Sequence, residues 1–173
     1  MPKRQFATET PMTDTALPVS RSATGFDLTP PTPTERVSLE KTLSREEREV
    51  LLHHGTEAPF CGGLLDNKED GAYCCRLCGL PLFQARTKFE SGTGWPSFFA
   101  PIDEGHVRAV RDVSYGMVRI ETRCARCDSH QGHVFPDGPP PTRLRYCINS
   151  VSLQFVQNGE ALPDPLGRGD RLP

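Results

Sequence analysis

The sequence predicts a mainly β protein: a small antiparallel structure with one short N-terminal helix and long loops. Three observations lead to this prediction. Helical patterns are scarce beyond that helix, short segments there are separated by glycine and proline, and two of them, 115–122 and 151–155, alternate with a period of two residues. In the first segment, Val118 and Ile120 share a face with Thr122.

The helix is predicted to begin at Ser44, which stands three residues before Glu47 in the spacing of a capping box. Val50 and Leu51 fall on one face, and Gly55 is a suitable stop. A loop is expected to follow.

A chain of 173 residues suits one domain with tails. Residues 1–34 are rich in proline, serine and threonine and poor in large apolar side chains, so we expect them to be disordered. The domain is expected over residues 35–156. Residues 157–173 contain several prolines and glycines and are expected to form a loose C-terminal tail.

Charge and hydropathy argue against several kinds of partner. The net charge is −2 and the basic residues are dispersed, which argues against nucleic acid. No apolar run approaches the ~18 residues of a membrane span, and the N-terminus lacks the apolar segment of a secretory signal. The seven cysteines, some in CxxC pairs, favour a reducing compartment. We therefore expect a cytoplasmic monomer.

Four cysteines have the spacing of metal ligands: Cys75 pairs with Cys78, and Cys124 with Cys127. Two residues inside each pair let both sulfurs of a tight turn face one ion, and two such turns complete the thiolate shell of structural zinc. An iron site and a thioredoxin-type redox pair are the alternatives. Two pairs are better explained together, and no βαβ pattern surrounds either. The sequence therefore predicts one zinc per chain, which stabilises the fold.

Cys147 stands apart from these pairs, shortly after His130, His133 and Asp137. A thiol near imidazoles and a carboxylate can be held as a nucleophilic thiolate. A buried structural thiol is the alternative, since free cysteine is among the most buried residues. Spacing alone does not decide between the two.

Trp95 lies in a Gly-Trp-Pro loop that can hold the indole at a fixed angle. Its face can receive a methyl group or a soft sulfur substituent, and filling the core is the alternative use. His130 and His133 can serve proton transfer or complete a metal site with cysteines. Four cysteines already satisfy one ion, which favours proton transfer. His53 and His54 are expected on the solvated surface.

These residues lie in motifs that together resemble the type B methionine sulfoxide reductases, which act on the R epimer. The resemblance covers residues 35–156 and is carried by five motifs: Gly55-Thr56-Glu57-x-Pro59-Phe60; the two CxxC pairs; Lys88-Phe89-x-Ser91-Gly92-x-Gly94-Trp95-Pro96-Ser97-Phe98; His130-x-Gly132-His133-Val134-Phe135-x-Asp137-Gly138-Pro139; and Arg145-Tyr146-Cys147-Ile148-Asn149-Ser150. Five motifs in one order argue against a chance similarity.

The resemblance implies two antiparallel sheets, a structural zinc at the four cysteines, and Cys147 as the nucleophile that reduces methionine sulfoxide in proteins and becomes a sulfenic acid. It implies that Trp95 packs on the methyl group of the substrate and that Asp137 orients the pocket. The other implied pocket residues are His133 as proton donor, His130, Asn149, Phe135 and Arg145. A second thiol then forms a disulfide with Cys147, and a thioredoxin-type reductant opens it.

Two departures from the family affect these expectations. Gln131 stands where the family has leucine between the histidines, which is expected to alter the pocket wall. Thr93 stands where many members carry their resolving cysteine. We expect Cys61 to take that role, as in a minority of the family, because Gly62 and Gly63 allow the backbone movement that a disulfide requires.

Other possibilities stay open. Cys74 is the second candidate for the resolving thiol, although it adjoins a metal-binding pair that its movement would strain, and an external thiol could reduce the sulfenic acid directly. The competing class of protein is a non-enzymatic, zinc-stabilised β module. It explains the four paired cysteines but leaves Cys147, Trp95 and the histidines without a role.

Overall fold

The structure, a computed structural model, describes residues 20–172, which form two helices followed by nine strands. The helices are α1 (Pro33–Glu40) and α2 (Arg45–His53). The strands are β1 (Gly71–Cys75), β2 (Pro81–Gln84), β3 (Lys88–Phe89), β4 (Ser97–Phe98), β5 (Val107–Asp112), β6 (Arg119–Cys124), β7 (His130–Phe135), β8 (Arg145–Ile148) and β9 (Leu153–Gln157).

Helix α2 is the predicted helix. The Ser44 hydroxyl accepts from the Glu47 backbone N–H and the Glu47 carboxylate accepts from the Ser44 N–H, which completes the capping box. The helix ends at His53, and its C-cap His54, one residue before the expected glycine, has the left-handed conformation with φ 58°. Helix α1, with its own capping box at Thr32 and Glu35, was not predicted. Neither of these two helices of the described residues is long and apolar enough to cross a membrane.

All strand pairs are antiparallel and form two sheets, which confirms the predicted fold class apart from the additional helix. The smaller sheet has the order β2-β1-β9, and the larger has the order β3-β4-β8-β7-β6-β5. Strand β8 therefore lies inside the larger sheet, between β4 and β7.

Aromatic side chains join the two sheets. Phe83 of the smaller sheet stacks on Phe98 of the larger at 4.4 Å between ring centroids, and Tyr73 meets Phe98 edge-on at 5.0 Å. All three side chains are fully buried. Burial of one such side chain contributes roughly 1.5–3 kcal/mol, so this cluster forms the centre of the core.

The two alternating segments form strands that begin later than predicted. Strand β6 begins at Arg119, because Asp112 of β5 pairs with Arg119 and residues 113–118 form the connection between the strands. Tyr115 there has a φ of 56°, and Val118 is exposed rather than part of an apolar face. Strand β9 begins at Leu153, after a short 3-10 turn.

The N-terminal segment departs from the disorder expected over residues 1–34. Residues 1–19 lie outside the described part of the chain. From Ser20 on, the segment is packed against the domain: Phe26 is buried with its ring edge-on to His106 at 4.9 Å, and the Thr24 N–H donates to Asp103 at 2.8 Å. The expected domain boundary at residue 35 also lies within α1.

The C-terminal segment, expected to be a loose tail over residues 157–173, also lies against the fold. Arg126 and Asp170 form an ion pair at 2.8 Å with both side chains buried. Leu162 and Leu172 pack against the core. Composition does not reveal this arrangement, because Arg126 lies inside the second CxxC pair, 44 residues before Asp170 in the sequence.

Candidate active site

A cavity of about 110 Å³ opens beside Cys147. The described residues that border it are Thr56, Trp95, Arg119, Gly132, His133, Phe135, Cys147 and Asn149. Five of the residues expected at the site therefore meet here: Cys147, His133, Trp95, Phe135 and Asn149. Four others, His130, Asp137, Arg145 and Cys61, lie outside this border.

The larger sheet determines the position of Cys147. On β8, Cys147 is the partner of His133 on β7 and of Ser97 on β4. Side chains of directly paired residues lie about 4.5–5.5 Å apart at Cβ, so the register places the imidazole next to the thiol. Gly132 makes the approach possible, because a Cβ there would lie 2.0 Å from the Cys147 carbonyl oxygen.

The Cys147 thiol is half-buried, and burial raises its pKa. Two neighbours oppose this effect: the Thr93 hydroxyl, 3.9 Å from the sulfur, and the positive charge of Arg145. Because the net shift is upward, the protonated thiol is the resting form at neutral pH. The thiolate that the sequence allowed is therefore not the resting form.

Trp95 borders the cavity rather than filling the core. Its indole N–H donates to the Glu57 carbonyl oxygen at 3.1 Å, which fixes the ring against the loop after α2. Gly94 before it has a φ of 91°, and a Cβ there would lie 2.8 Å from Pro59. The half-buried indole is thus held by its hydrogen bond to Glu57 and by the close contact of the preceding Gly94 with Pro59.

Glu57 and Asn149 connect that loop to the sheet. The buried Glu57 carboxylate accepts from the backbone N–H groups of Ser150 and Val151, at the start of the 3-10 turn after β8. The Asn149 side chain accepts from the Glu57 N–H at 3.1 Å and donates to the Gln131 carbonyl oxygen at 3.0 Å. Asn149 therefore joins the loop to β7 while it borders the cavity.

Asp112 orients His133. The His133 Nε2 lies 2.7 Å from a carboxylate oxygen of Asp112, which also contacts Arg119 at 3.0 Å. Hydrogen bonds from Ser114 and then from His133 hold the pKa of the Asp112 carboxyl well below its ordinary value. The carboxylate therefore stays charged at neutral pH.

Glu121 holds His130 and also His54, which is exposed as expected but is bound to this carboxylate. The two Nδ1 atoms each lie 2.7 Å from the same Glu121 oxygen. Burial raises the pKa of Glu121, but hydrogen bonds from Arg123, His130 and His54 outweigh it and lower the pKa to about 2. Burial lowers the pKa of His130, and its ring meets His133 edge-on at 5.5 Å.

Asp137 does not lie where its expected role, orienting the histidines, would require it. Its exposed carboxylate forms a two-pronged ion pair with Arg145, at 2.9 and 3.0 Å, and does not contact the histidines. The Arg145 guanidinium in turn lies 4.5 Å from the centre of the Phe135 ring. Asp137 therefore fixes the cation beside Cys147.

Sequence reasoning missed the carboxylates that orient the histidines. Arg119 and Glu121 lie on the polar side of the alternating segment 115–122, and Asp112 ends the preceding strand. The alternating pattern did indicate these residues, because polar side chains on one face of a strand inside a sheet need hydrogen-bond partners. The apolar face was taken as the important one instead.

The four paired cysteines meet in one buried cluster. All four sulfurs lie within 4.8 Å of one another, and the Cys75–Cys127 and Cys78–Cys124 distances are both 3.6 Å. Four thiolates about 2.3 Å from a tetrahedral ion are about 3.8 Å apart, so the spacing fits a metal. These sulfurs form no disulfide. The cluster can hold a metal ion.

The surroundings of the cluster also suit a metal. The residue after each CxxC pair, Gly79 or Asp128, has a positive φ that closes the turn. Ser129 lies 3.1 Å from the Cys127 sulfur, and the buried Gln131 amide donates to Cys75 at 3.6 Å. Gln131 thus faces the cysteines and not the pocket wall, which corrects the expectation for this residue.

The two remaining cysteines have opposite environments. Cys61 is exposed, and its neighbour Phe60 donates a backbone hydrogen bond to Gly94 at 2.8 Å, next to Thr93. Its loop therefore runs beside the residue that contacts Cys147. Cys74 is buried in the core, and burial raises the pKa of its thiol to about 12.

The fold and the site place the chain among cysteine-dependent enzymes. The SelR domain family matches residues 43–157. The chain is 74% identical over 161 residues to the peptide methionine sulfoxide reductase MsrB of Caulobacter vibrioides, covering 93% of this chain and 99% of that protein. The proteins of the same name from Xylella fastidiosa and Escherichia coli are 63% identical over 145 residues (84% and 94%) and 55% identical over 126 residues (72% and 92%). The chain belongs to the SelR-domain family of type B peptide methionine sulfoxide reductases.

Replacing Thr93 by valine removes the hydroxyl that lowers the pKa of Cys147. We expect that pKa to rise further, so that alkylation of Cys147 by iodoacetamide shifts to higher pH. Mass mapping of the peptide that contains Cys147, over a series of pH values, measures the shift. Thr93→Ser keeps a hydroxyl and should retain the wild-type profile. An unchanged profile in Thr93→Val would remove the hydroxyl from this role.

Proposed function

We propose that this protein reduces methionine-R-sulfoxide in polypeptides to methionine through Cys147. The observation that carries the proposal is that a thiol, an indole and an imidazole border the same small cavity. A carboxylate holds this imidazole in place. Cys147 supplies the electrons, Trp95 an apolar face, and His133 a proton. The substrates are oxidised methionines in proteins, which can reach a cavity that opens on the surface.

The first step transfers oxygen from the substrate to Cys147. The thiol sulfur attacks the partly positive sulfoxide sulfur while the sulfoxide oxygen is protonated. A bond forms between the two sulfurs. The hydroxyl then moves to the Cys147 sulfur as the S–O bond of the substrate and the bond between the sulfurs break, so that methionine leaves and Cys147 becomes a sulfenic acid. Because burial keeps the resting thiol protonated, attack begins when His133 gives a proton to the bound sulfoxide and the thiol proton passes to the imidazole in its place.

His133 is the proposed proton donor. Asp112 holds one ring nitrogen, which leaves the other nitrogen for the sulfoxide oxygen. The β7–β8 pairing places this ring beside the attacking sulfur. His130 lies behind it and acts on its orientation through the contact between the rings.

Selection of the R epimer follows from three contacts around one sulfur. The methyl group packs on Trp95 and Phe135, the oxygen faces His133, and the sulfur faces Cys147. In the S epimer the methyl group and the oxygen exchange places, which puts the oxygen against an apolar ring and leaves it without a hydrogen bond. A polar group buried in this way costs about 1–3 kcal/mol.

Zn²⁺ is the ion we place at the four-cysteine cluster. Four buried sulfurs near tetrahedral spacing support this choice, because a closed thiolate shell is typical of structural zinc. The ligands come from the turn after β1 and the turn between β6 and β7, so the ion joins the two sheets. Its binding free energy contributes to folding.

Recycling is proposed to use Cys61 and thioredoxin. The Cys61 thiol attacks the Cys147 sulfenic acid, a disulfide forms and water leaves; a thioredoxin dithiol then reduces this disulfide and is itself oxidised. The exposure of Cys61 and the contact of its loop with Gly94 support this assignment. The burial of Cys74 argues against the other candidate. The free thiols also favour a reducing compartment such as the cytoplasm.

The central test compares wild type with Cys147→Ser in a single turnover on peptides that contain either sulfoxide epimer. Wild type should form one methionine per chain from the R epimer and none from the S epimer, and Cys147→Ser should form none from either. Chromatography of the peptides measures methionine. Reduction by Cys147→Ser at the wild-type rate would remove Cys147 from the reaction, and failure of wild type to form methionine would support the non-enzymatic zinc module.

Substitution of His133 by glutamine keeps hydrogen bonding but removes the titratable ring. The rate of sulfoxide reduction in a single turnover should fall by roughly 10²–10⁴-fold, the usual loss for a general acid. His130→Gln is the comparison, and its effect should be smaller because His130 does not border the cavity. A larger loss in His130→Gln than in His133→Gln would exchange the two roles.

Cys61→Ser separates reduction from recycling. This variant should form one methionine per chain at the wild-type rate yet stop after that turnover when thioredoxin is the reductant. Cys74→Ala is the matched control and should cycle normally. Steady-state oxidation of NADPH with thioredoxin and its reductase follows the turnover. Normal cycling of Cys61→Ser would show that another thiol resolves the sulfenic acid.

A further inference from the structure

A second group of metal-ligating side chains lies on the far side of His133 from Cys147. His54 is the C-cap of helix α2, Glu121 lies on β6 and His130 lies on β7. One ligand atom from each of the three lies within 4.8 Å of the other two. We propose that these residues form a second metal site, for a divalent cation that prefers imidazole and carboxylate ligands, such as Zn²⁺ or Co²⁺.

The three ligand atoms need to move apart only slightly to bind an ion. Each Nδ1 now lies 2.7 Å from the same Glu121 oxygen, as a hydrogen bond requires. Ligands about 2.0–2.1 Å from a tetrahedral ion lie about 3.3 Å apart. Each nitrogen–oxygen distance must therefore widen by about 0.6 Å. The ion then replaces the two hydrogen bonds between the histidines and the Glu121 oxygen.

His54 is the ligand that can make this adjustment. Glu121 and His130 are held on paired strands and are buried, whereas the His54 side chain is 47% exposed at the end of a helix. Two fixed ligands and one movable ligand allow an ion to enter and then be enclosed. The neighbouring His53 is exposed on the same helix.

The surroundings leave room for an ion and set its affinity. A cavity of about 460 Å³, bordered by all three ligands, opens beside them and provides a path and a place for a water ligand. Arg123 binds the second Glu121 oxygen at 2.8 Å, which leaves one oxygen for the ion. This positive charge weakens cation binding, so the site should bind less tightly than the four-thiolate cluster.

Titration of the zinc-loaded protein with Co²⁺ tests the proposal without reference to sulfoxide reduction. Visible absorption separates the two sites, because cobalt bound by thiolates shows intense charge-transfer bands and cobalt bound by nitrogen and oxygen shows only weak d–d bands. Wild type should bind one Co²⁺ per chain with d–d bands alone. The bound ion should also raise Tm, since a ligand that binds only the folded state stabilises it.

His54→Gln should weaken Co²⁺ binding by about tenfold or more and abolish the rise in Tm. His53→Gln, the matched control, should bind Co²⁺ as wild type does. Equal binding by His54→Gln and wild type would overturn the proposal. So would a titration in which Co²⁺ enters only the thiolate cluster, or in which no Co²⁺ binds.

Discussion

The pairing of β7 with β8 is the constraint on which the site depends. It places Cys147 beside His133 and requires Gly132 to have no side chain at the point of closest approach. The four-cysteine cluster lies at one end of this pair, because β7 begins just after Cys127. Because β8 runs antiparallel to β7, Asn149 lies at the same end and ties the strands to the loop that holds Trp95. A shift of one residue in this register would point the thiol to the opposite face of the sheet, so the metal cluster and the Asn149 contacts both protect the chemistry.

Strands β5 and β6 supply carboxylates, which strand β8 lacks. Asp112 holds one histidine, Glu121 holds two, and each carboxylate binds an arginine, so both remain ionised inside the fold. For Glu121, the direction of the pKa shift shows how stability depends on pH. Its pKa is lowered to about 2 in the folded protein, so the stability from its contacts is complete above its ordinary value and is lost as the pH falls toward 2. At neutral pH the two histidines of β7 are thus each held in a fixed orientation by a charged carboxylate.

The sequence predicted features that depend on local spacing. The cap of α2 needs only Ser44 and Glu47, and each CxxC pair is a single turn. The orienting carboxylate needed more information: Asp137 is near the histidines in sequence, yet Asp112 reaches His133 because β5, β6 and β7 are neighbours in the sheet. The terminal segments failed as predictions for a similar reason. Their composition resembles a tail, but burial of Phe26 and the ion pair of Asp170 arise from contacts with distant parts of the chain. Periodicity indicates that a strand has two faces, and only the completed sheet determines which face meets the cavity.

The loop after α2 connects the proposed chemistry with the proposed second metal site. His54 begins this loop, Glu57 fixes its middle to the start of the turn after β8, and Cys61 follows. A disulfide between Cys61 and Cys147 requires movement only at the end of the loop that contains Cys61. Gly62 cannot supply it freely, because a Cβ there would lie 2.1 Å from the Ser150 hydroxyl oxygen, and the chain is in close contact at that point. Gly63 has open space around it. The movement that brings Cys61 to Cys147 should therefore separate Gly62 from Ser150 and pivot at Gly63, while Glu57 and an ion at His54 keep the first half of the loop, and with it the indole, in place.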